Sequence, residues 1–331
     1  MKEIQLLPEQ GNYYKANLHC HTTYSDGELT PEEVKEIYKE QGYAVVAYTD
    51  HRQYHNFSHL SDKDFLAISA MEVDINEFGN VQWDFSRIKT YHINLYDTVP
   101  HTHSEESITK LQPERKYYDM EYINRYIDEM NTMGFLACYN HPYWSLQSCS
   151  DYTGLKGLWG MEIYNHGCEL DGLYGYHPQA YDEMLREGQR IFCVASDDNH
   201  NSYPQGHPFN DSFGGFTMIY AKELNYPEIM EALKKGLFYS SMGPEFAKIT
   251  LSGNRLIIKC SPVKKIYVRT QGRNCHRLAA SEGELLQEAE FVISGKEGYL
   301  RVDIEDEKGR HANTNAWFLD NIMKMQLEEE G

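Results

Sequence analysis

Short apolar runs alternate with helix-like stretches over the first three quarters of the chain. Residues 13–18, 44–48, 65–69, 88–95, 134–139, 160–164, 191–195 and 216–221 are apolar runs of strand length. Between the first two, Thr30-Pro31-Glu32-Glu33 predicts a helix start, with Thr as N-cap, Pro at the first position and acids in the first turn. That helix runs to Gly42, a C-cap residue. Tyr122, Ile123, Tyr126, Ile127 and Met130 recur at helical spacing, and residues 227–236 supply another helix. Residues 97–115 are polar and carry no clear period.

Strands alternating with helices predict an α/β fold with a parallel sheet and right-handed crossovers. Seven or eight such units suggest a closed, TIM-like barrel, whose site lies at the C-terminal ends of its strands. After Gly243-Pro244 the pattern changes to short strands at 249–251, 256–258, 266–268, 291–293 and 300–304, with Gly253-Asn254 as a hairpin signal. The reading is a barrel over residues 1–244 and a small antiparallel, sandwich-like β domain over 245–331.

Composition narrows the functional classes. Hydrophobic residues make up 41% of the 331 residues, enough for a sizeable core. The formal charge of −19 disfavours sequence-independent nucleic-acid binding, leaving at most a short oligonucleotide as substrate. Some of the acids can instead be metal ligands. The seven cysteines are odd in number and form no Cys-x-x-Cys, so reduced thiols in a cytoplasmic protein are expected rather than a disulfide framework. The N-terminal stretch lacks a signal-peptide core, and no 18-residue apolar run predicts a membrane span. Oligomeric state is not legible in the sequence.

The candidate chemistry begins at Asn17-Leu18-His19-Cys20-His21. In extended backbone, His19 and His21 point to the same side and can share one metal ion. Alone the pair is a weak signal. However, His19, His21, His51, Glu72, His141, Asp198 and His200 all fall at or just after the C-terminal end of a predicted strand, and His92 lies late in its own. Eight residues of metal-ligand type in such positions are hard to assign to chance. Cys20, between two of them, faces away and reads as core packing.

As an ordered set, His19-Cys20-His21, Ser25-Asp26-Gly27, Thr49-Asp50-His51, Glu72, His92, Asn140-His141-Pro142 and Asp198-Asn199-His200 resemble the PHP (polymerase and histidinol phosphatase) superfamily. The resemblance spans about residues 15–245. It implies a distorted seven-stranded (β/α)7 barrel binding two or three divalent transition metals, with Zn, Mn or Fe suited to mixed His and carboxylate donors. It further implies His19, His21, Glu72 and Asp198 around one ion. Glu72, His92 and His141 would hold a second, with Glu72 bridging, and Asp26, His51 and His200 a third. Some relatives have His at the position of Asp26. The stretch from Gly236 to Pro244, and Asn313-Thr314-Asn315-Ala316-Trp317, are similar to a branch containing carbaryl-hydrolase-like enzymes and many members described as phosphoesterases.

The implied activity is metal-dependent hydrolysis of a small phosphate ester or nucleotide by a hydroxide bridging the metals, with Glu72, Asp198, His200 and Arg52 as catalytic residues. Arg52 would be a bidentate phosphate donor, or equally a solvated loop residue. A carboxyl or carbamate ester or an amide is the alternative substrate for the same centre. A non-catalytic, metal-stabilised module is the third reading, disfavoured because structural sites close with four ligands. Asp50 reads evenly as an orienter of His51 or a turn cap. Asp197 can cap, orient or bind metal. Glu162 ends a strand without being required as a ligand, and is read as site-lining in one case of three. His166 and His177 read as exposed loop residues before general acids. The tail carries no constellation of its own.

Overall fold

The computed structural model describes residues 3–7, 11–77, 85–115 and 118–322. Its strands are β1 (Glu3–Leu7), β2 (Asn12–Asn17), β3 (Val45–Tyr48), β4 (Leu66–Asn76), β5 (Thr90–Asp97), β6 (Phe135–Tyr139), β7 (Gly160–Asn165), β8 (Phe192–Ser196), β9 (Phe216–Ala221), β10 (Phe238–Ser241), β11 (Phe246–Ser252), β12 (Arg255–Val263), β13 (Lys265–Thr270), β14 (His276–Ala279), β15 (Leu286–Val292), β16 (Tyr299–Glu305), β17 (His311–Thr314) and β18 (Trp317–Phe318). The helices are α1 (Pro31–Glu40), α2 (Glu105–Thr109), α3 (Met120–Thr132), α4 (Cys149–Tyr152), α5 (His166–Leu170), α6 (Pro178–Arg186) and α7 (Tyr226–Lys235).

Local sequence accounts for the helix ends. Thr30 and Glu33 form a reciprocal capping box at the start of α1. Gly236, in the left-handed region at φ 69°, ends α7. Tyr122 lies on α3, whose apolar stripe buries Ile123, Tyr126, Ile127 and Met130.

The fold is α/β, built on one large sheet in which β9, β2, β3, β4, β5, β6, β7 and β8 are neighbours in that order. Pairs β2–β3, β3–β4, β6–β7 and β7–β8 are parallel, but β4–β5, β5–β6 and β2–β9 are antiparallel. The sheet is therefore mixed, not all-parallel. Nor does the ladder close as the expected TIM-like barrel, because among the described residues no strand pairing joins β8 to β9. Other contacts connect those rims. Thr217 Oγ1 donates to the Ala195 carbonyl at 3.0 Å and accepts from its N–H at 3.1 Å. Beyond β2, Cys20 forms a parallel bridge with Asn199.

Strand β4 changes partner along its length. Leu66–Ser69 pair with β3 in parallel, and Ala70–Asn76 pair with β5 antiparallel. The expected strand stopped at Ser69, so Glu72 lies within a strand rather than after one. His92 is likewise early in β5, not late. An antiparallel strand brings its beginning to the rim where its parallel neighbours end, so His92 still reaches the same mouth.

The antiparallel strands of the tail divide between two sheets. β11, β12 and β15 join β1 in a four-stranded sheet, while β17 pairs with β10 and carries β16, β13 and β14 into the large one. Gly253 turns the β11–β12 hairpin at φ 62°. Leu7, Tyr239, Ile249, Leu256, Ile258, Val302 and Ile304 share one buried cluster across both sheets. All seven cysteines are free. No described helix is long and apolar enough to cross a membrane.

Candidate metal centre

His19 and His21 extend the line of β2 along the segment after β8. The His21 N–H donates to the Asn199 carbonyl and the Asp198 N–H to the His19 carbonyl, both at 3.0 Å. The extended backbone sends both imidazoles to one side. Cys20 goes to the other and packs, fully buried, with Val34, Tyr38, Tyr48 and Phe65. Gly27 lies so close to the chain that a Cβ would sit 2.5 Å from the His21 carbonyl oxygen, which is why glycine follows Asp26. Arg52 and Asp198 both hold left-handed backbone, each at φ 54°, a strained geometry beside or at a site residue.

These elements bring all nine expected ligands together. Glu72 is the hub. Its Oε1 lies 3.0 Å from His92 Nδ1, 3.4 Å from His19 Nε2 and 3.4 Å from His141 Nε2. Its Oε2 lies 2.9 Å from His51 Nδ1 and 3.6 Å from His21 Nε2. Asp198 Oδ1 is 3.1 Å from His19 Nε2 and 3.0 Å from His21 Nε2, and its Oδ2 is 3.7 Å from His141 Nε2. Asp26, more than half exposed, faces His21, His51 and His200 at 3.7, 3.6 and 3.5 Å.

Donor atoms within 4.8 Å of one another form four groups: His21–Asp26–His51–His200, His19–His21–Glu72, His19–His141–Asp198 and His51–Glu72–His92. His92 therefore groups with His51, and His141 with Asp198. Glu72 contacts both sides, as a bridging carboxylate would.

Residues behind the centre orient these imidazoles. Buried Glu162 accepts from His19 Nδ1 at 2.7 Å, Asn165 Nδ2 at 2.9 Å and the His141 N–H at 3.3 Å. Asn140 Nδ2 donates to Glu72 Oε1 at 2.8 Å. Ser145 Oγ is 3.2 Å from His141 Nδ1. Asp50 orients the loop before α1 rather than His51: it accepts from the Thr22 N–H at 2.7 Å and from Ser25 Oγ at 2.8 Å, and Ser25 Oγ lies 3.4 Å from His21 Nδ1. Asp197 caps a loop, accepting the N–H groups of Phe213, Gly214 and Gly215. Burial pushes its carboxyl up to about 7 against those donors. Asp211 fixes His200 through the backbone, accepting its N–H at 2.8 Å.

Buried His92 Nε2 lacks a hydrogen-bond partner. His19 Nε2 and His21 Nε2 face each other at 3.1 Å. Facing imidazole nitrogens are satisfied by a shared proton or a cation. Burial, with His200 and His51 beside it, pushes His21 down to about 3. Burial opposes protonation of His51 as well, but the Glu72 and Asp26 carboxylates lift it to about 9. Burial alone would raise Glu72; His92, His19 and His51 hold it well below the usual carboxylate range. Ionised carboxylates, clustered imidazoles and an orphaned His92 nitrogen make a set that fits transition-metal ions, which would displace the protons that the carboxylates hold on the rings.

The centre opens into a cavity of about 940 Å³, walled in part by Trp144, Asp171, Tyr203 and Phe209. Arg52 does not line it. Its guanidinium turns instead to the Asp74 carbonyl at 3.0 Å and the Pro113 carbonyl at 2.6 Å, against the expected role as a phosphate donor. Arg115 lines the cavity in its place. His166 is bonded to Tyr164 and His177 is buried, not exposed, and neither lines the cavity. Glu162 was visible as a strand-end acid. Asp211 and Arg115 gave no signal, because long-range packing brings them to the site.

No family model and no curated protein matches the chain. Solved structures do match it. A two-domain protein from Bacteroides vulgatus ATCC 8482, described as containing a predicted PHP-like metal-dependent phosphoesterase, is 15% identical over 91% of this chain and 93% of its own, at TM-score 0.48. A candidate metal-dependent phosphoesterase from Bifidobacterium adolescentis ATCC 15703 is 15% identical over 62% of this chain and 93% of its own, at TM-score 0.38. An amidohydrolase from Chromobacterium violaceum, with bound sulfate and no metal, is 15% identical over 56% of this chain and 87% of its own, at TM-score 0.34. Every one of these scores is below 0.5, so the functional reading stands on the residues of the site. Two of these structural neighbours are thus described as metal-dependent phosphoesterases, PHP-like in the case of the two-domain protein, and the third as an amidohydrolase.

Proposed function

We propose that the protein is a metal-dependent hydrolase of small phosphate esters. The observation that carries this is Glu72, a buried carboxylate within 3.6 Å of five imidazoles at the floor of an open cavity. His19, His21, Asp198, Glu72, His92, His141, His51, Asp26 and His200 would hold two to three Zn, Mn or Fe ions. Bound there, the ions supply an acidified water and a clamp for the oxygens of a transferring phosphoryl group. The protein's own part is orientation. Glu162 and Ser145 set the ring positions of His19 and His141, and Asn140 holds one Glu72 oxygen. We read the curled sheet, tied at its rim by the Cys20–Asn199 bridge, as a distorted barrel of the PHP type. On this reading residues 245–331 are an accessory unit.

The test is metal-reconstituted protein with p-nitrophenyl phosphate, its bis-ester and p-nitrophenyl acetate. Phosphate turnover that chelator abolishes and metal restores is the expected result. Metal-dependent turnover of the acetate alone would transfer the centre to carboxyl esters.

A further inference from the structure

Alternation along β4 places Glu72, Asp74 and Asn76 on one face, and all three line the cavity. Asp74 sits directly across from His92 on β5. This carboxylate, nearly buried, faces two guanidinium groups. Arg115 approaches with Nε at 2.6 Å and Nη2 at 3.0 Å, and Arg52 with Nη1 at 3.3 Å. One carboxylate neutralises one of them, so the cluster retains a net positive charge.

That charge is shared by the two arginines, and Arg115 is the one of them that lines the cavity. Arg52 is partly buried and directs its other nitrogen to the Pro113 carbonyl. The Arg115 side chain remains 59% exposed, and its backbone carbonyl is pinned by the Asn76 N–H at 2.6 Å. Among the described residues lining the cavity, Arg115 is the sole Lys or Arg. An exposed guanidinium held in a cavity wall by a carboxylate that it shares with a second arginine, in a chain of charge −19, is a ready anion partner. Trp144, Tyr203 and Phe209 offer apolar wall in the same cavity.

We propose that Arg115 determines specificity by binding a second anionic group of the substrate, carried on the leaving group. Resting on the phosphoesterase reading, the inference puts the scissile phosphate at the nine-residue centre. The second anion lies further out along the face of β4. Two strand residues separate Glu72 from Asp74 by about 7 Å, roughly the span of an aromatic ring with its para substituent.

Non-hydrolysable probes separate binding from turnover. Calorimetry on the manganese-loaded full chain would compare 4-phosphonobenzoate with phenylphosphonate. Wild type is expected to bind the carboxylated probe about tenfold tighter or more, the scale of one charge-assisted hydrogen bond. Arg115→Met should abolish that preference, and Arg115→Lys should keep part of it. Equal binding of the two probes by wild type, or no binding of either, overturns the proposal. So does an equal loss of both in Arg115→Met, which would put the guanidinium on the phosphonate itself. The wild-type comparison needs no variant to fold. Turnover of phenyl phosphate and 4-carboxyphenyl phosphate is measured alongside. A binding preference without turnover of either ester would sustain the anion subsite and remove the phosphoesterase reading.

Discussion

Glu162 Oε1 lies 2.7 Å from His19 Nδ1, and both side chains are fully buried. A carboxylate on that nitrogen fixes the ring's orientation, with Nε2 turned toward Glu72 and Asp198. Glu162→Gln keeps the shape and removes the charge. Metal affinity should fall about 10–100-fold, the usual scale for losing such an orienting partner. Competition with a chromogenic chelator measures it, and an unchanged affinity would detach Glu162 from the centre.

Glu72→Ala should abolish nearly all turnover, on the order of thousands-fold or more, because two of the proposed ions lose the ligand they share. His177→Ala should change turnover far less, since His177 lies outside the cavity. Steady-state kinetics on both variants decides it. Comparable mild losses would remove Glu72 from its central role.

Metal binding should release protons. With the carboxylates beside it, His51 is raised to about 9, so it is protonated at pH 7.5 in the metal-free protein and must lose that proton to become a ligand. Affinity should therefore fall as pH falls. Calorimetry in buffers of different ionisation enthalpy should detect net proton release at pH 7.5. Zero release would exclude His51 from the ligand set.

The tail should be fastened to the body by charge as well as by sheet. Arg301 on β16 is fully buried and donates to Asp182 of α6 from Nε at 2.7 Å and Nη2 at 2.8 Å. Arg301→Ala strands Asp182 and should cost about 3–5 kcal/mol in denaturant unfolding. Replacing both partners by leucine should recover much of that. A loss under 1 kcal/mol in Arg301→Ala would show the pair to be dispensable.

Beside that pair, burial would raise Asp303, but His311, Arg301 and Arg269 hold its carboxyl below the ordinary range. A depressed carboxylate stabilises the fold above its unfolded pKa of about 3.9, and that contribution is lost as pH falls further. Thermal scans should show the melting temperature dropping below pH 4, and dropping less in Asp303→Asn. Identical profiles would exclude the group.

Truncation after Gly243 should expose the β10 edge that β17 now pairs, together with the shared apolar cluster. Aggregation or poor folding is expected, with every proposed ligand still present. A truncated chain that stays soluble at full melting temperature would show the tail to be an independent appendage.

Local physics made much of this protein legible in its sequence. A Thr-x-x-Glu capping box, a left-handed Gly236 and the Gly253 hairpin depend on a few adjacent residues, and each occurs where its pattern predicts. The two-residue period of extended chain sends His19 and His21 to one side and Cys20 to the core without reference to anything distant. The residue types themselves, imidazoles and carboxylates near strand ends, announced metal chemistry before any contact was known. Strand direction was not legible, because an apolar run reads the same whichever way its neighbour runs. Only the folded sheet turned β5 around and brought the start of that strand, with His92, to the mouth. Charge pairing was hidden for the same reason. Arg52 beside His51 looked like an anion donor. Asp74 and the Pro113 carbonyl claim it, and Arg115, sixty-three positions along the chain, holds the cavity wall. Which of two arginines faces a substrate depends on which one packing leaves exposed in the cavity wall, and that is settled only once distant segments have come together.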